Sequence, residues 1–353
     1  MFVFRSLVRQ QQHQLFIRNY SNKVYITTMS QSPTICTHSG NFHADEALAC
    51  YLLKLLPKYK ESSIIRTRDN AVIDKCDIVV DVGATYDHSK CRYDHHQAGF
   101  TSTFDDKHET KLSSAGLIYK HYGKEIIKNC SENVSDSNVD IIYHKLYDAF
   151  IEELDGVDNG VERYPSDIKP KYQSNSGISA RVGHLNPLWN EPQDEETITK
   201  RFYKAMELIG EMFVDRLHFY SKAWLPARDI VLNSIEKRSS VHPSGEIMVL
   251  DQICPWKDHL YHLESELKVN PTIKFVLFGD NAGWRVQAVN QSLSSFALRI
   301  PLFQEWRGKR DEELSKLSGI DGCVFCHANG FIGGNKTKEG ALEMAVRSLN
   351  AAN

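Results

Sequence analysis

Metal-capable side chains recur in this chain directly after short apolar runs, and that recurrence restricts the fold more than any other feature. Asp94-His95-His96 follows Arg92-Tyr93, and Asp81 closes the run Ile78-Val79-Val80. His38, His43 and Asp45 follow Thr34-Ile35-Cys36-Thr37. Short continuous apolar runs suit strands of a parallel sheet covered on both faces. In open α/β sheets, ligand clusters collect where the carboxyl ends of such strands meet loops. Strands over Thr34–Thr37, Ser63–Arg66 and Ile78–Asp81 alternate with helical patterns over Glu46–Leu56, Ser113–Tyr122 and Val139–Leu154. Residues 33–193 are therefore predicted to be an α/β domain with its loops converging on one edge.

Imidazoles mixed with carboxylates, with no thiolate among them, favour Mn²⁺ or Mg²⁺. Two such ions about 3.5–4 Å apart form a clamp for in-line attack on phosphorus. The candidate ligands are His38, His43, Asp45, Asp81, the run Asp94-His95-His96, and Asp155 from Glu152-Glu153-Leu154-Asp155-Gly156-Val157-Asp158-Asn159-Gly160. A lone His-Asp pair is more often a surface hydrogen bond than a ligand, but several clusters at comparable positions reverse that weighting. Asp45 and Glu46 also read as helix N-terminal acids favoured by the macrodipole. Asp45 satisfies both readings, and Glu46 is assigned only the second.

The 353 residues are 41% hydrophobic and 25% charged, which suits a soluble protein of about two domains. A net charge of −3 argues against a broad nucleic-acid-coating surface and leaves room for a local basic cleft. The eight cysteines are scattered, as expected of free thiols in a reducing compartment. No apolar stretch approaches the roughly 18 residues needed to cross a bilayer. From Met1 to Ala44 there is no acid, while Arg5, Arg9, Arg18 and Lys23 alternate with apolar residues. Residues 1–32 thus read as a transit peptide for the mitochondrial matrix, and Arg18-Asn19-Tyr20-Ser21 is similar to a processing site. Initiation at Met29 would yield a leaderless form, which leaves a second location such as the nucleus open.

A long helical pattern, residues 194–225, connects to a smaller α/β unit over 226–350. Strand candidates there are Ile230–Leu232, Ile247–Leu250, Ile273–Phe278 and Trp284–Val289, followed by a glycine-rich segment and a helix over Thr337–Leu349. Cys323-Val324-Phe325-Cys326-His327 spells a haem attachment pattern. The surrounding glycines suggest another role, so no haem is expected. Gly322, Asn329, Gly330, Gly333 and Gly334 would let backbone N–H groups approach a phosphate, with Lys336 as a cation before a helix N-terminus. A structural turn is the plainer reading. Arg181, Arg285, Arg299 and Lys336 are candidates for a substrate channel, each also readable as an ordinary solvated base. Trp284, Phe296, Phe325 and Phe331 could stack bases, with core packing as the default.

Taken together, THSGNFHADE, DVGATYD, RYDHHQ, KLSSAGLIY, ELDGVDNG and GCVFCHANGFIGG resemble the DHH phosphoesterase superfamily. More closely, they resemble the melanocyte-proliferating-gene family of metal-dependent exonucleases, over about Ile35 to Leu349. The resemblance implies that His38 and Asp45 form the first motif, with His43 near where an aspartate is usual. It implies that Asp81 bridges two metals and His95 binds one. Asp94 and His96 would orient ligands or contact phosphate, and Asp155 would be the fourth-motif ligand with Asp158 as its rival. His327 would contact the phosphate or the terminal nucleotide. The implied activity is 3′–5′ exonuclease action on single-stranded RNA in RNA processing. A small-phosphate hydrolase acting on pyrophosphate, a short oligonucleotide or a cyclic dinucleotide is the alternative within enzymes. A non-catalytic, metal-dependent RNA-binding protein is the alternative outside them.

Overall fold

The run Thr34-Ile35-Cys36-Thr37 forms the first strand (β1, Thr34–Thr37), with Ile35 and Cys36 fully buried. The computed structural model describes residues 32–132 and 134–352. The expected targeting segment, including Met29, falls in residues 1–31 and so lies outside the described residues. After β1 come α1 (Ala44–Lys54), β2 (Ser63–Arg66), α2 (Asn70–Ile73), β3 (Ile78–Val80), β4 (Tyr86–Asp87) and β5 (Arg92–Tyr93). The five strands make one sheet in the order β2-β1-β3-β5-β4, parallel except for β4.

Helices α3 (Ser114–Cys130), α4 (Asp136–Leu146) and α5 (Glu152–Asp158) follow, with a π-helical turn, Tyr147–Ile151, joining the last two. Next come α6 (Ile178–Gly183) and α7 (Glu195–Phe219). One apolar stripe of α7, including Phe202, Ile209 and Phe213, is buried in the core that α1 and α3 share. Gly210 is required there, because a Cβ on it would stand 2.2 Å from the Tyr51 ring.

A second π-helical turn, Tyr220–Trp224, leads from α7 into α8 (Leu225–Glu236). Pro226 lacks an N–H, and a π-turn just before it lets the helix continue across the lost bond. The expected strand at Ile230–Leu232 is therefore part of α8. Its apolar residues belong to a helical stripe in which Ala227, Val231, Ser234 and Ile235 are buried.

The remaining elements are α9 (Arg238–Val241), β6 (Ile247–Val249), α10 (Lys257–Glu266), β7 (Phe275–Asp280), β8 (Gly283–Ala288), α11 (Asp311–Ser318), β9 (Cys323–Cys326), β10 (Ile332–Asn335) and α12 (Lys338–Asn350). The strands form a second sheet, β6-β7-β8-β10-β9, in which only β6 and β7 run parallel. Separate apolar clusters cover its faces, one around Trp306, Leu314 and Met344, the other around Trp256, Leu260 and Ile273. No described helix is long and apolar enough to cross a membrane.

Candidate metal centre

Three neighbouring parallel strands each end at a residue of one polar cluster. His38 follows β1, Asp81 follows β3, and Asp94-His95-His96 follows β5. The start of α1 adds His43, Asp45 and Glu46, and the end of α5 adds Asp158. Asp81 sits in the left-handed backbone region at φ +55°, a conformation that aspartate tolerates better than most residues. Its N–H donates to Tyr93 O at 3.1 Å, so the neighbouring strand holds the turn in place.

Asp81 is the hub. Its Oδ2 lies 3.4 Å from His38 Nε2, and its Oδ1 lies 3.4 Å from His95 Nε2 and 3.3 Å from His96 Nδ1. Ser114 Oγ, from the first residue of α3, donates to the same Oδ1 at 3.1 Å. His38 Nε2 also meets Glu46 Oε1 at 3.0 Å. His95 Nε2 is 3.0 Å from Asp158 Oδ2 but makes no aligned hydrogen bond with it. The potential ligand atoms fall into three groups: His38, His43, Glu46 and Asp81; Asp81, His95 and His96; and His43, Asp45 and Asp158. Within each group all lie within 4.8 Å of one another. Asp94 is held apart from these groups. It accepts from Ala84 N at 2.6 Å and pairs with His96 Nδ1 at 2.9 Å, which orients that imidazole.

Electrostatics shows what the cluster requires. Burial works against a charged His38, but Asp81 and Glu46 outweigh it and lift the imidazole to about 10. Burial likewise opposes a charged His95, and Asp158 and Asp81 lift it to about 10. Burial would raise Asp81, yet His38, His95 and His96 hold it well below the usual carboxylate range. Asp45 goes the other way, pushed well up by burial and by Asp81 and Asp158. It is 1% exposed, and neither of its carboxylate oxygens has a hydrogen-bond partner. A buried carboxyl without donors either stays protonated or sits beside positive charge, and a bound cation would supply that charge. Oxygen and imidazole donors without thiol are the set that Mn²⁺ or Mg²⁺ takes, so the residues fit divalent ions.

Two expectations need correction. Asp155 is fully buried but is not part of the cluster. Its Oδ1 accepts from Ser113 N at 2.9 Å, Ser113 Oγ at 2.6 Å and Gly116 N at 3.1 Å, and its Oδ2 accepts from Tyr147 OH at 3.0 Å. It clamps the first turn of α3, while Asp158, its rival in the sequence, lies with His43 and Asp45. The glycines of the β9–β10 hairpin are also not an open cradle. A Cβ on Gly330 would meet Arg307, one on Gly333 would meet Leu302 and Met344, and one on Gly334 would meet Arg285 and Phe325. Packing explains these three. His327 and Asn329 stay exposed on the turn, where Asn329 N donates to His327 Nδ1 at 3.1 Å, and Gly322 and Lys336 flank the two strands. Among the described residues no hydrogen bond joins this hairpin to the metal cluster. Arg181 is exposed on α6, and Arg299 is committed to Glu264 at 2.7 Å.

Several cluster neighbours were not anticipated from the sequence. Glu46 both accepts from the His43 N–H at the helix start and meets His38. Arg68 Nη2 lies 3.2 Å from His38 Nδ1, and Arg68 lines a cleft of about 360 Å³ with His38, Asp81 and His96. Lys111 and Asn159 line a second cleft, about 430 Å³, with His95, His96 and Asp158. Arg68 stands two residues after β2, on the same sheet edge as the histidines, and that position was the available signal. Lys111 offered none.

A buried imidazole–carboxylate cluster on the carboxyl edge of a parallel sheet defines a candidate divalent-metal hydrolase centre. The chain belongs to the family MYG1_exonuc, described as Uncharacterised protein family (UPF0160), whose family model matches residues 34–349. The MYG1 protein of Dictyostelium discoideum is 68% identical over 318 residues, covering 90% of this chain and 96% of that relative. The MYG1 exonuclease of Homo sapiens is 50% identical over 326 residues, covering 90% and 86%. Among solved structures, RecJ from Thermus thermophilus in complex with Mn²⁺ is 12% identical. That match covers 91% of this chain and 52% of RecJ at a TM-score of 0.24, a likeness too low to support any inference.

Proposed function

We propose that the chain is a divalent-metal-dependent phosphodiesterase that removes nucleotides from the 3′ end of single-stranded RNA. We place it in the mitochondrial matrix and, for chains started at Met29, in the nucleus. The observation that carries the metal reading is Asp45, a buried carboxylate with both oxygens unpartnered inside a ring of imidazoles and acids. The three ligand groups contain four carboxylates, Asp45, Glu46, Asp81 and Asp158, and four imidazoles. Two divalent ions would neutralise those four negative charges.

His38, His43, Asp45, Asp81, His95 and Asp158 would hold the ions, with Asp81 shared. When bound, the ions supply Lewis acidity and positive charge against the phosphate. His96 is 62% exposed at its side chain, lines both clefts and is oriented by Asp94. An imidazole so placed can donate a proton to a leaving oxygen. Arg68 has no carboxylate partner among the described residues and can meet a phosphate oxygen from the other cleft. Curated relatives bear the name exonuclease, which supports the nucleic-acid substrate. The cleft of about 430 Å³ also suits a small ligand, which keeps pyrophosphate as a competing substrate.

The test is purified protein with Mn²⁺ and end-labelled RNA, with DNA and pyrophosphate as competitors. A 3′ label should be released first. EDTA should abolish activity, and Mn²⁺ should restore it better than Ca²⁺, which prefers all-oxygen sites with more ligands. Full turnover in EDTA after exhaustive dialysis refutes the metal reading, and cleavage of pyrophosphate alone refutes the RNA reading.

A further inference from the structure

The long irregular excursion after α5 begins at one cleft of the metal centre and returns at the other. At its start, Asn159 Oδ1 lies 3.2 Å from His95 Nδ1, and Asn159 Nδ2 donates to Lys111 O at 2.9 Å. At its return, Asn186 Oδ1 accepts from Phe42 N at 2.9 Å and Asn186 Nδ2 donates to Phe42 O at 2.8 Å. Phe42 immediately precedes His43, so both ends of the excursion are pinned beside candidate ligands. Between these anchors lies only the short helix α6, and residues 161–177 are irregular. Loops of that length in a compact fold are either functional or linkers, and pinning at both ends beside the cluster sets this one apart from a linker.

The excursion exposes several aromatic rings close together in the chain. Tyr172 is 82% exposed and Trp189, three residues beyond the return anchor, is 92% exposed; Tyr164 is also exposed. Aromatic side chains this open are not packing against a core. They are interleaved with cations: over 160–189 the exposed Arg163, Lys169, Lys171 and Arg181 stand against two acids, Glu162 and Asp167. That is a net +2 in a chain whose total is −3. The Arg163 guanidinium already lies 5.8 Å from the centre of the Tyr164 ring. Exposed rings alternating with positive charge are the makeup of a single-stranded nucleic-acid platform, where bases stack and cations follow the phosphates.

We propose that residues 160–189 form the surface on which single-stranded RNA lies as its end enters the metal centre, with Tyr164, Tyr172 and Trp189 stacking bases. This rests on the phosphodiesterase reading above and adds to it a place and a mode of binding. The rings read a π-face rather than a base edge, so the surface selects unpaired strands without selecting sequence. A duplex, whose bases already stack on one another, gains nothing from it.

Fluorescence anisotropy of a labelled single-stranded RNA 12-mer on the full chain tests this, with Ca²⁺ replacing Mn²⁺ to keep the strand intact. The triple variant Tyr164→Ala/Tyr172→Ala/Trp189→Ala should raise Kd at least about 30-fold, given the contribution of each base–ring stack. Lys169→Gln/Lys171→Gln should flatten the slope of log Kd against log salt by roughly 0.7 per lost cation. Phe219→Ala, which removes a 40% exposed ring at the end of α7 outside the excursion, is the control and should leave Kd unchanged. A triple variant that binds within about twofold of wild type overturns the proposal, as it would if the segment served to dock a protein. An equal loss in Phe219→Ala overturns it as well. If wild type cleaves RNA while the triple variant binds as tightly, this surface alone is refuted; if wild type neither binds nor cleaves, both readings are.

Discussion

Asp155 and Asp158, three residues apart on α5, should fail in different ways when changed. Asp155 accepts two main-chain N–H groups, those of Ser113 and Gly116, and two hydroxyls, Ser113 Oγ and Tyr147 OH. Asp155→Ala leaves both buried N–H groups without an acceptor. At about 1–3 kcal/mol each, the loss is about 2–6 kcal/mol before any cavity is counted. At roughly 2–4 °C per kcal/mol for a large domain, Tm should fall by roughly 4–24 °C. Asp155→Asn should be much milder. Its carbonyl can keep the Ser113 and Gly116 donors, and its NH₂ can donate to a Tyr147 hydroxyl turned to accept. Burial pushes the Asp155 carboxyl up to about 7 against the pull of its four donors, so a neutral group there costs little near neutral pH. Asp158→Asn removes a partly exposed carboxylate with no helix turn to hold, so Tm measured in EDTA should fall far less than in Asp155→Ala, while bound metal falls. Scanning fluorimetry gives Tm and atomic emission gives metal per chain. If Asp155→Asn keeps its Tm but loses metal, or Asp158→Asn keeps a full complement of metal, the assignment is wrong.

The metal-free protein should lose stability with rising pH. His38 and His95 have folded-state pKa values lifted to about 10 from an ordinary 6.5, so their contribution is complete below pH 6.5 and is lost as pH climbs through 10. Tm of EDTA-dialysed protein should fall across that window, and saturating Mn²⁺ should flatten the decline; a flat metal-free profile would contradict the charge account. Residues 1–20 fused to a reporter should direct it to the mitochondrial matrix, and Arg5, Arg9 and Arg18 changed to Glu should leave it in the cytosol. Microscopy and protease protection report the outcome, and import of the Glu variant would defeat the electrostatic reading.

The strands that carry ligands were legible because two local signals agree there: a short apolar run, then a polar residue at its carboxyl end. Ile78-Val79-Val80 followed by Asp81 shows both, and so does Thr34–Thr37 followed by His38. Ile230-Val231-Leu232 ends at Asn233, polar but neither histidine nor aspartate, and three apolar residues suit a buried helix stripe as well as a strand. The helix wins because the stripe continues through Ser234 and Ile235 and the π-turn carries the chain past Pro226. Glu46 was half legible, since a helix-start acid and a partner for His38 make the same demand on the sequence.

Asp155 and Asp158 could not be separated by pattern at all, because residues three apart on a helix share a face. What separates them is Gly116, thirty-nine residues earlier in the chain. A Cβ there would stand 2.3 Å from Asp155 Oδ2, so only glycine lets α3 present its first-turn N–H groups to that carboxylate. With those donors taken, Asp155 has no oxygen left for a metal, and Asp158 stands nearest His95. The glycine in Lys111-Leu112-Ser113-Ser114-Ala115-Gly116 thus decides which acid of α5 faces the centre, a choice made by close approach between two helices and invisible to either one alone.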